Sequence, residues 1–467
     1  KMFEELGEED YNRERVADLN DVQKRVLMIL LGRSETSLSE LTRECIIVAE
    51  ELFPSDTATM KADLVSGIVT ERGGITSHAA ILAGNLGIPA AVGVSEATER
   101  IAAGNDIYLD VTEHDTAKVH IDPGDSVRNE FARRADRYRE EQARLARQKS
   151  LKPVTIDGQR MILSANIGSV DEIQPAISQG AKSVGLFRSE FLFMRSKTIP
   201  DEETQYAAYK AALEAFSDDG FVILRTLDIG ADKPIDSISI PAEDNPFLGY
   251  RGVRISLART DLFRTQLRAA FRASTFGTLK IMFPMISGPN EVGTILDLIE
   301  EVKKQLSREG HRFDPEVEIG IMIEVPSAIW MVDKLIEMVD FFSIGTNDLT
   351  QYLLAADRMN DNIRDYYQPY HPAVFRAIRA VVETAHTHGK WVGVCGELGG
   401  MPPAIPILVG LGVDELSMGA RGLPEAIHTV RHMRSATARV LAEEVLSSAD
   451  AVKIKEAAQR YIYGDEE

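Results

Sequence analysis

The spacing of apolar residues divides the chain into regions with different periods. Residues 4–31 place apolar side chains near one face of a helix, which leaves that face exposed unless further helices cover it. From residue 36 to residue 122 short apolar runs replace the helical period, and they predict strands at Cys45–Ala49, residues 107–111 and residues 118–121. A helix-like run at residues 79–86 separates these strands, so a small α/β domain is predicted.

Residues 125–150 are almost wholly charged and alanine-rich, with few apolar positions. A solvated surface helix and a helical linker between moving domains both fit this composition. A helix of about 25 residues spans roughly 38 Å. The linker is favoured because composition and period change on both sides of the segment.

The rest of the chain alternates apolar strand-like runs with helical patterns. Eight runs predict strands at residues 161–167, 183–187, 221–227, 279–285, 318–324, 341–345, 391–394 and 415–418. Eight βα units in about 300 residues predict an α/β fold with a carboxyl-terminal TIM (β/α)8 barrel. A doubly wound open sheet is the alternative, but the strand count and the polar strand ends favour the barrel.

Composition and charge narrow the classes of function. The 467 residues carry a formal net charge of −20, which repels nucleic acid and anionic membranes. This net charge does not exclude an anionic substrate, because a local arginine cluster can make the potential positive inside a cleft. The chain contains no apolar run of about 18 residues, and no signal-peptide pattern follows Lys1. Cys45 and Cys395 lie far apart and suggest no disulfide framework, which indicates a reducing compartment such as the cytoplasm.

The predicted strand ends of the barrel carry the residues best suited to chemistry. They are Asn166, Arg188, Arg225, Glu324, Asn347, Asp348 and Cys395, and two further arginines, Arg251 and Arg358, follow in loops. Active sites of TIM barrels lie at the carboxyl ends of the strands, and the guanidinium fork binds carboxylate or phosphate in a bidentate manner. A single such arginine is as well explained by a structural ion pair, but several at one rim indicate an anion site.

Three of these residues suggest further chemistry. Glu324 and Asp348 on neighbouring strand ends suit a Mg²⁺ ion beside a phosphorylated substrate, although either carboxylate can instead cap a helix. Cys395 is by default a buried thiol, but at a strand end it can donate a proton to an enolate carbon.

The loop before the helix-like run of the small domain holds a histidine. His78 follows Gly73 and Gly74, and Thr76 or Ser77 can cap the helix that begins there. Free N–H groups and the helix dipole favour a phosphate at such a position, and a neutral imidazole is a competent nucleophile for phosphoryl transfer. A structural histidine is the alternative reading of this loop.

Several motifs together resemble the phosphoenolpyruvate (PEP)-utilising enzymes. GGITSHAAILA at 73–83, IGTNDLTQY at 344–352 and CGEL at 395–398 are similar to that family, which includes pyruvate phosphate dikinase, PEP synthase and Enzyme I of the sugar phosphotransferase system. LFRSEFLFM at 186–194, RTLDIGADK at 225–233 and NPFLGYR at 245–251 resemble the Enzyme I branch. This resemblance implies a PEP-protein phosphotransferase with a nitrogenous acceptor group, acting in the first step of sugar uptake.

The resemblance also implies roles for individual residues. His78 is the expected phosphohistidine, carrying phosphate on Nε2 and supported by Thr76, while Cys395 protonates the enolate to give pyruvate. Glu324 and Asp348 are the expected ligands of Mg²⁺. The expected contacts to PEP are Arg188, Arg225, Arg358, Asn347 and Asp348, joined by Arg251 and Lys233.

The resemblance further implies partners and a division into domains. The expected phosphate acceptor is the phosphocarrier protein HPr, and the expected assembly is a homodimer through the barrel. Residues 1–33 are read as the remnant of a helical HPr-docking subdomain, 34–124 as the phosphohistidine domain, 125–150 as the linker and 151–467 as the PEP-binding barrel. The small domain is expected to swing on the linker between PEP and the acceptor.

Three alternatives remain open from the sequence. A regulatory relay of the nitrogen-related branch of the same family would show a sensory domain upstream of these residues. A synthase or dikinase would need an ATP-binding domain, and no glycine-rich loop followed by Lys and Ser or Thr occurs in the chain. A catalytically silent binding module is disfavoured because the full set of chemical residues is present.

Overall fold

The fold is taken from a computed structural model of the chain. It describes residues 38–52, 60–73, 79–80, 82–83, 87–113, 116–194, 196, 198–217, 219–230, 238, 240–241 and 243–464. The chain divides into two compact units, residues 1–140 and residues 141–467. The predicted helix at 4–31 lies outside the described residues.

The first unit contains two small sheets. A parallel sheet has the order β1 (Cys45–Ala49), β2 (Val65–Thr70), β3 (Ala90–Ala91), and an antiparallel pair is formed by β4 (Ile107–Glu113) and β5 (Thr116–Ile121). The short helix α1 (Ala97–Arg100) precedes β4. The three strands predicted here are confirmed. The predicted helix-like run at 79–86 is helical at residues 79, 80, 82 and 83, and its other residues lie outside the described ones.

Strand β2 was missed because serine and glycine interrupt its apolar run. Val65, Ile68 and Val69 are buried, while Gly67 lies in close contact with its surroundings. A Cβ atom at Gly67 would lie 3.2 Å from Leu109 Cδ2, so the position favours a residue without a side chain. The glycine that weakens the strand pattern therefore suits the close packing at this position.

The predicted linker is a helix, α2 (Asp125–Ala146), and the boundary between the two units falls within it. No side chain is buried along its 22 residues, all of them described. Within the first unit, Arg134 donates from both terminal nitrogens to the Asp110 carboxylate, each at 2.8 Å. Phe131 packs edge-on against Tyr108 at 5.0 Å between ring centroids. These contacts hold the first part of the helix to the β4–β5 pair.

The second unit is a closed barrel of eight parallel strands. They are β6 (Ile162–Ile167), β7 (Val184–Arg188), β8 (Phe221–Arg225), β9 (Thr278–Phe283), β10 (Glu318–Ile323), β11 (Phe341–Ile344), β12 (Trp391–Val394) and β13 (Glu415–Gly419). Each strand pairs with the next in chain order, and β13 pairs with β6 to close the ring. The barrel prediction is confirmed, with strand ends that differ from the predicted ones by at most two residues, and the open-sheet alternative is wrong.

Helices and short turns connect the strands. The helices of the second unit are α3 (Ile173–Ser178), α4 (Glu190–Met194), α5 (Glu202–Ala215), α6 (Val253–Ala258), α7 (Thr260–Ala273), α8 (Pro289–Arg308), α9 (Pro326–Trp330), α10 (Val332–Leu335), α11 (Thr346–Leu354), α12 (Pro372–Thr387), α13 (Ala404–Leu411), α14 (Leu423–His432), α15 (Ser435–Ser447) and α16 (Ala451–Tyr463). Among the described residues, no helix combines the length and apolarity that crossing a membrane requires.

The barrel has an outer and an inner core, because successive side chains of a strand point to opposite faces. The outer core includes Phe187 and Leu224, packed among the helices, whereas the inner core includes Ile223 and Met282. At the amino ends of the strands the Phe341 and Trp391 rings stack at 4.5 Å between centroids. The two stacked rings fill the barrel interior at the amino ends of the strands. The candidate site lies at the opposite, carboxyl ends.

Candidate active site

The barrel brings most of the predicted site residues to the carboxyl ends of its strands. Arg188 ends β7 and pairs in register with Arg225 at the end of β8. Glu324 and Cys395 directly follow β10 and β12, and Asn347 and Asp348 lie in the first turn of α11, just after β11. The remaining positions, Asn166 in β6 and Arg251 and Arg358 in loops, are also described.

Arg225 is buried between two carboxylates. Its guanidinium forms an ion pair with Glu190 and a second one with Asp228, the latter with 2.9 Å between Nη1 and Oδ2. Burial alone would lower the pKa of Arg225, but Glu190 and Asp228 raise it overall, so the guanidinium stays charged. Its buried Nε has no hydrogen-bond partner among the described residues.

Arg251 links two acidic residues at the carboxyl ends of the barrel strands. Its side chain is 2% exposed and lies 3.4 Å from the Asp228 carboxylate and 3.3 Å from Asp348 Oδ1. Its Nη1 also donates to the Tyr352 hydroxyl at 3.1 Å. These contacts occupy both terminal nitrogens, so Arg251 positions the acidic residues, while its predicted contact with PEP stays a prediction.

Replacing Arg251 with methionine is expected to lower stability by about 3–5 kcal/mol, because Asp228 and Asp348 would lose a buried partner. The exposed pair Arg259–Asp261, with 2.8 Å between Nη2 and Oδ2, provides the matched control. Arg259→Met should leave the unfolding midpoint nearly unchanged, since exposed ion pairs contribute little. Thermal and urea unfolding of the three proteins measures the difference, and equal midpoints would show that Arg251 is not a structural link.

Glu324 and Asp348 are two carboxylates that lie near enough to repel each other electrostatically. Glu324 is fully buried, its Oε1 accepts a 2.6 Å hydrogen bond from the Met285 N–H, and its Oε2 has no partner within the described residues. Burial raises the pKa of Glu324 to about 8, with Asp348 and then Asp228 adding to the effect. Met285 has a φ of +61°, a strained conformation of the kind found at functional sites.

This arrangement fits a divalent cation. A bound cation would be ligated by Oε2 of Glu324, the oxygen without a hydrogen-bond partner among the described residues. Its positive charge would also offset the repulsion between the carboxylates of Glu324 and Asp348. Neither carboxylate makes a side-chain cap, because α9 and α11 begin at other N-cap residues without such a bond, so the capping alternative is wrong. No group of three His, Cys, Asp or Glu residues that could hold a metal occurs in the described ranges, so water or substrate oxygens would complete the coordination.

Asn347 is held by a reciprocal pair of hydrogen bonds. Its Nδ2 donates to Glu397 Oε1 at 3.2 Å, and the Glu397 N–H donates to Asn347 Oδ1 at 2.9 Å. The Tyr367 hydroxyl donates to the Asn347 carbonyl at 3.3 Å. Nearby, Arg358 Nη1 lies 3.8 Å from Asp348 Oδ1. The first turn of α11 is thereby fixed at the barrel mouth.

Cys395 is a buried thiol at the end of β12. Its Sγ lies 3.7 Å from the Ile344 carbonyl, and its own carbonyl accepts a 3.2 Å hydrogen bond from Asn166 Nδ2. Burial raises the pKa of Cys395 to about 12, although Ser343 and Arg225 oppose the effect. The side chain therefore carries its proton at neutral pH, as a proton donor must.

Three predicted residues lie outside the described ranges. They are His78, Thr76 and Lys233, so the predictions for the phosphohistidine loop and for Lys233 remain predictions. The sequence analysis also missed three acidic residues, Glu190, Asp228 and Glu397. Each stands two or three residues after a predicted site residue in its motif, and that spacing was the only available signal.

Comparisons with known proteins agree with this fold and with the set of residues at the carboxyl ends of the barrel strands. A family model described as "PEP-utilising enzyme, PEP-binding domain" matches residues 142–435, and one described as "PEP-utilising enzyme, mobile domain" matches residues 41–114. Relatives named phosphoenolpyruvate-protein phosphotransferase match nearly the whole chain. That of Staphylococcus carnosus is 42% identical over 98% of this chain and 79% of its own, and that of Bacillus subtilis is 44% identical over 96% and 77%.

The barrel, its mouth of charged residues and the matching family models define the class, and the chain belongs to the PEP-utilising enzymes. Within that family it groups with the phosphoenolpyruvate-protein phosphotransferases. A third relative of that name, from Enterococcus faecalis, is 42% identical over 97% of this chain and 78% of its own. The chain thus spans roughly four fifths of the length of these relatives.

Proposed function

We propose that the protein transfers the phosphoryl group of PEP to its own His78, releases pyruvate, and passes the phosphate to a phosphocarrier protein. The observation that carries this proposal is the barrel mouth, where paired arginines, a carboxylate pair and a protonated thiol meet. The phosphate and the carboxylate of PEP call for the arginines and for a cation held by the carboxylate pair, and the enolate carbon calls for the proton of the thiol.

The arginines bind and orient the substrate. Arg188 and Arg225 lie side by side at neighbouring strand ends, and Arg358 lies beside Asp348. Charge on the transferring phosphoryl group is spread over its equatorial oxygens, and preorganised guanidinium groups stabilise it without reorganisation. Glu190 and Asp228 hold the Arg225 fork in place, so its orientation does not depend on the substrate.

A divalent cation fits Glu324 and Asp348, and Mg²⁺ is the ion that the sequence predicts there. When bound, it would supply positive charge to the phosphate and enolate oxygens. Asn347 contributes a side chain fixed by Glu397 next to this position. Arg251 holds Asp348 from the buried side.

Proton transfer completes the reaction. The P–O bond of PEP breaks as the bond from phosphorus to the His78 imidazole forms, and the enolate of pyruvate remains. The S–H bond of Cys395 then breaks as the C3–H bond forms, which yields pyruvate and a thiolate. The exclusion of water around the buried thiol favours protonation by Cys395.

The finer assignments remain proposals. They include HPr as the acceptor, sugar uptake as the pathway, the cytoplasm as the location and a swing of the small domain on α2. The homodimer also remains a proposal, supported by Trp330, which is 83% exposed beside the exposed Met331. The domain division at 33, 124 and 150 likewise stays a prediction.

The experiment that tests the function is labelling with PEP. Incubation with Mg²⁺ and PEP carrying labelled phosphate should give about one acid-labile phosphate per chain and an equal amount of pyruvate. Labelled ATP should give none. Labelling by ATP without labelling by PEP would contradict the proposal and would favour a dikinase.

A further inference from the structure

Asn166 lies among the strand-end residues of the candidate site but has no part in the proposed reaction. It is the next-to-last residue of β6, where it pairs in register with Gly419 at the end of β13. Its side chain is polar and half-buried, and none of the roles proposed above uses it. Its hydrogen bonds lead to the thiol residue of the site.

The side-chain amide of Asn166 is held in one orientation. Its Nδ2 donates to the Cys395 carbonyl at 3.2 Å, and its Oδ1 accepts a hydrogen bond from the buried hydroxyl of Ser417. Ser417 lies on β13, the strand between β6 and β12. A carbonyl oxygen can only accept, so a reversed amide would set two oxygens against each other. The amino group of Asn166 therefore faces Cys395.

The backbone of Cys395 is thereby bonded on both sides. Its N–H donates to the Ile344 carbonyl at the end of β11 at 3.1 Å, and its C=O accepts the bond from Asn166 on β6. Because both bonds restrain the backbone, the thiol moves mainly by rotation about its Cα–Cβ bond. The position of the thiol therefore depends on Asn166 as well as on β12 itself.

The chain directly after Cys395 packs closely against α11. A Cβ atom at Gly396 would lie 2.0 Å from Thr346 Oγ1 and 2.6 Å from the Thr346 nitrogen, so no side chain fits there. Thr346 is the first residue of α11, whose first turn also carries Asp348. The peptide group that Asn166 holds is thus adjacent to the turn that is expected to contact PEP and Mg²⁺.

We propose that Asn166 positions Cys395 so that the thiol protonates only one face of the enolate of pyruvate. This inference rests on the proposed function, in which the S–H bond of Cys395 breaks as the C3–H bond forms. The enolate is planar, so either face of C3 can take a proton, and a thiol held in one place reaches only one face. Without the Asn166 bond, the enolate would leave and take its proton from water on either face. Asn166 acts through Cys395, so it is a positioning residue.

The configuration of the methyl group of pyruvate tests this role. PEP with one tritium of defined geometry at C3 is added with Mg²⁺ to the protein in deuterium oxide, and the pyruvate is reduced to lactate as it forms, so that it cannot react back. Addition of deuterium to one face gives a methyl group of a single configuration, whereas addition to both faces gives a racemic mixture. Uptake of acid-labile phosphate in a single turnover is measured in parallel, because cleavage of the P–O bond precedes the proton step.

Asn166→Ala removes the donor to the Cys395 carbonyl. The excess of one methyl configuration should fall from nearly complete in wild type to below about one tenth, while the rate of phosphate uptake stays within about threefold. Ser417→Ala leaves the donor and removes the group that orients it, so it should give an intermediate excess, and it serves as the test if Asn166→Ala does not fold. Asn290→Ala, at an exposed position in the first turn of α8, is the matched control and should change neither measurement.

Two outcomes would overturn the role of Asn166. One is an unchanged excess in Asn166→Ala, or in Ser417→Ala if only that variant folds. The other is a parallel fall of phosphate uptake and of the excess, because it would show that Asn166 supports the fold of the whole site. A racemic methyl group from the wild-type protein would instead contradict proton donation by Cys395, and absence of phosphate uptake from PEP would contradict the proposed function.

Discussion

His78→Ala is expected to abolish the uptake of acid-labile phosphate from PEP. The change removes the nitrogen that accepts the phosphoryl group, and no binding energy at the barrel mouth can replace a missing nucleophile. Labelling should fall below about 0.1% of the wild-type level, and exchange of carbon between pyruvate and PEP should disappear with it. Both are measured with labelled PEP and pyruvate in the presence of Mg²⁺.

The control for this variant lies in the same unit of the chain. His120 in β5 packs against Phe131 at 5.7 Å between ring centroids and has no part in the proposed reaction. His120→Ala should therefore take up phosphate at the wild-type level. If His78→Ala still gains acid-labile phosphate, the phosphoryl carrier is another residue and the assignment from the GGITSH motif is wrong.

Arg225→Ala is expected to reduce the rate of phosphorylation about 10²- to 10³-fold with His78 intact. The guanidinium is the preorganised positive charge at the end of β8, and removal of such a group costs about 3–4 kcal/mol of transition-state stabilisation. The same change leaves Glu190 and Asp228 without their buried partner, so the unfolding midpoint should also fall. Single-turnover labelling and thermal unfolding measure the two effects.

A lysine at the same position separates catalysis from folding. Arg225→Lys keeps a positive charge near Glu190 and Asp228 but loses the fork that binds an oxyanion in a bidentate manner. Its midpoint should lie near that of wild type, while its labelling rate should stay at least about tenfold lower. Normal labelling of the alanine variant would remove Arg225 from the substrate site.

The barrel strands could be predicted because their signal is local. A parallel strand covered on both sides reads as an apolar run, and each of the eight runs ends at polar or glycine-rich residues. The strand β2 lacks this signal, since Ser66 and Gly67 break its run, and it forms through its pairing with β1 and β3. Sequence patterns therefore predicted those strands whose residues are apolar throughout and are also buried in the folded protein.

The candidate site likewise has features that the local sequence predicts and features that depend on long-range packing. The sequence by itself determined which residues are proposed to bear the chemistry, because Arg188, Arg225, Glu324, Asp348 and Cys395 stand at or just after strand ends inside recognisable motifs. Their partners could not be read from it, since Arg251 meets Asp348 across 97 residues of chain and Met285 meets Glu324 across 39.

Only the tertiary structure decided what each charged group does. It shows that Arg225 is held between two carboxylates and that Glu415 fills the space left by two glycines. It also shows that one oxygen of Glu324 has no hydrogen-bond partner among the described residues. The physical reason is that residue type and spacing set the intrinsic chemistry of a side chain. Burial and long-range neighbours set its charge state and orientation, and both depend on how the eight strands close.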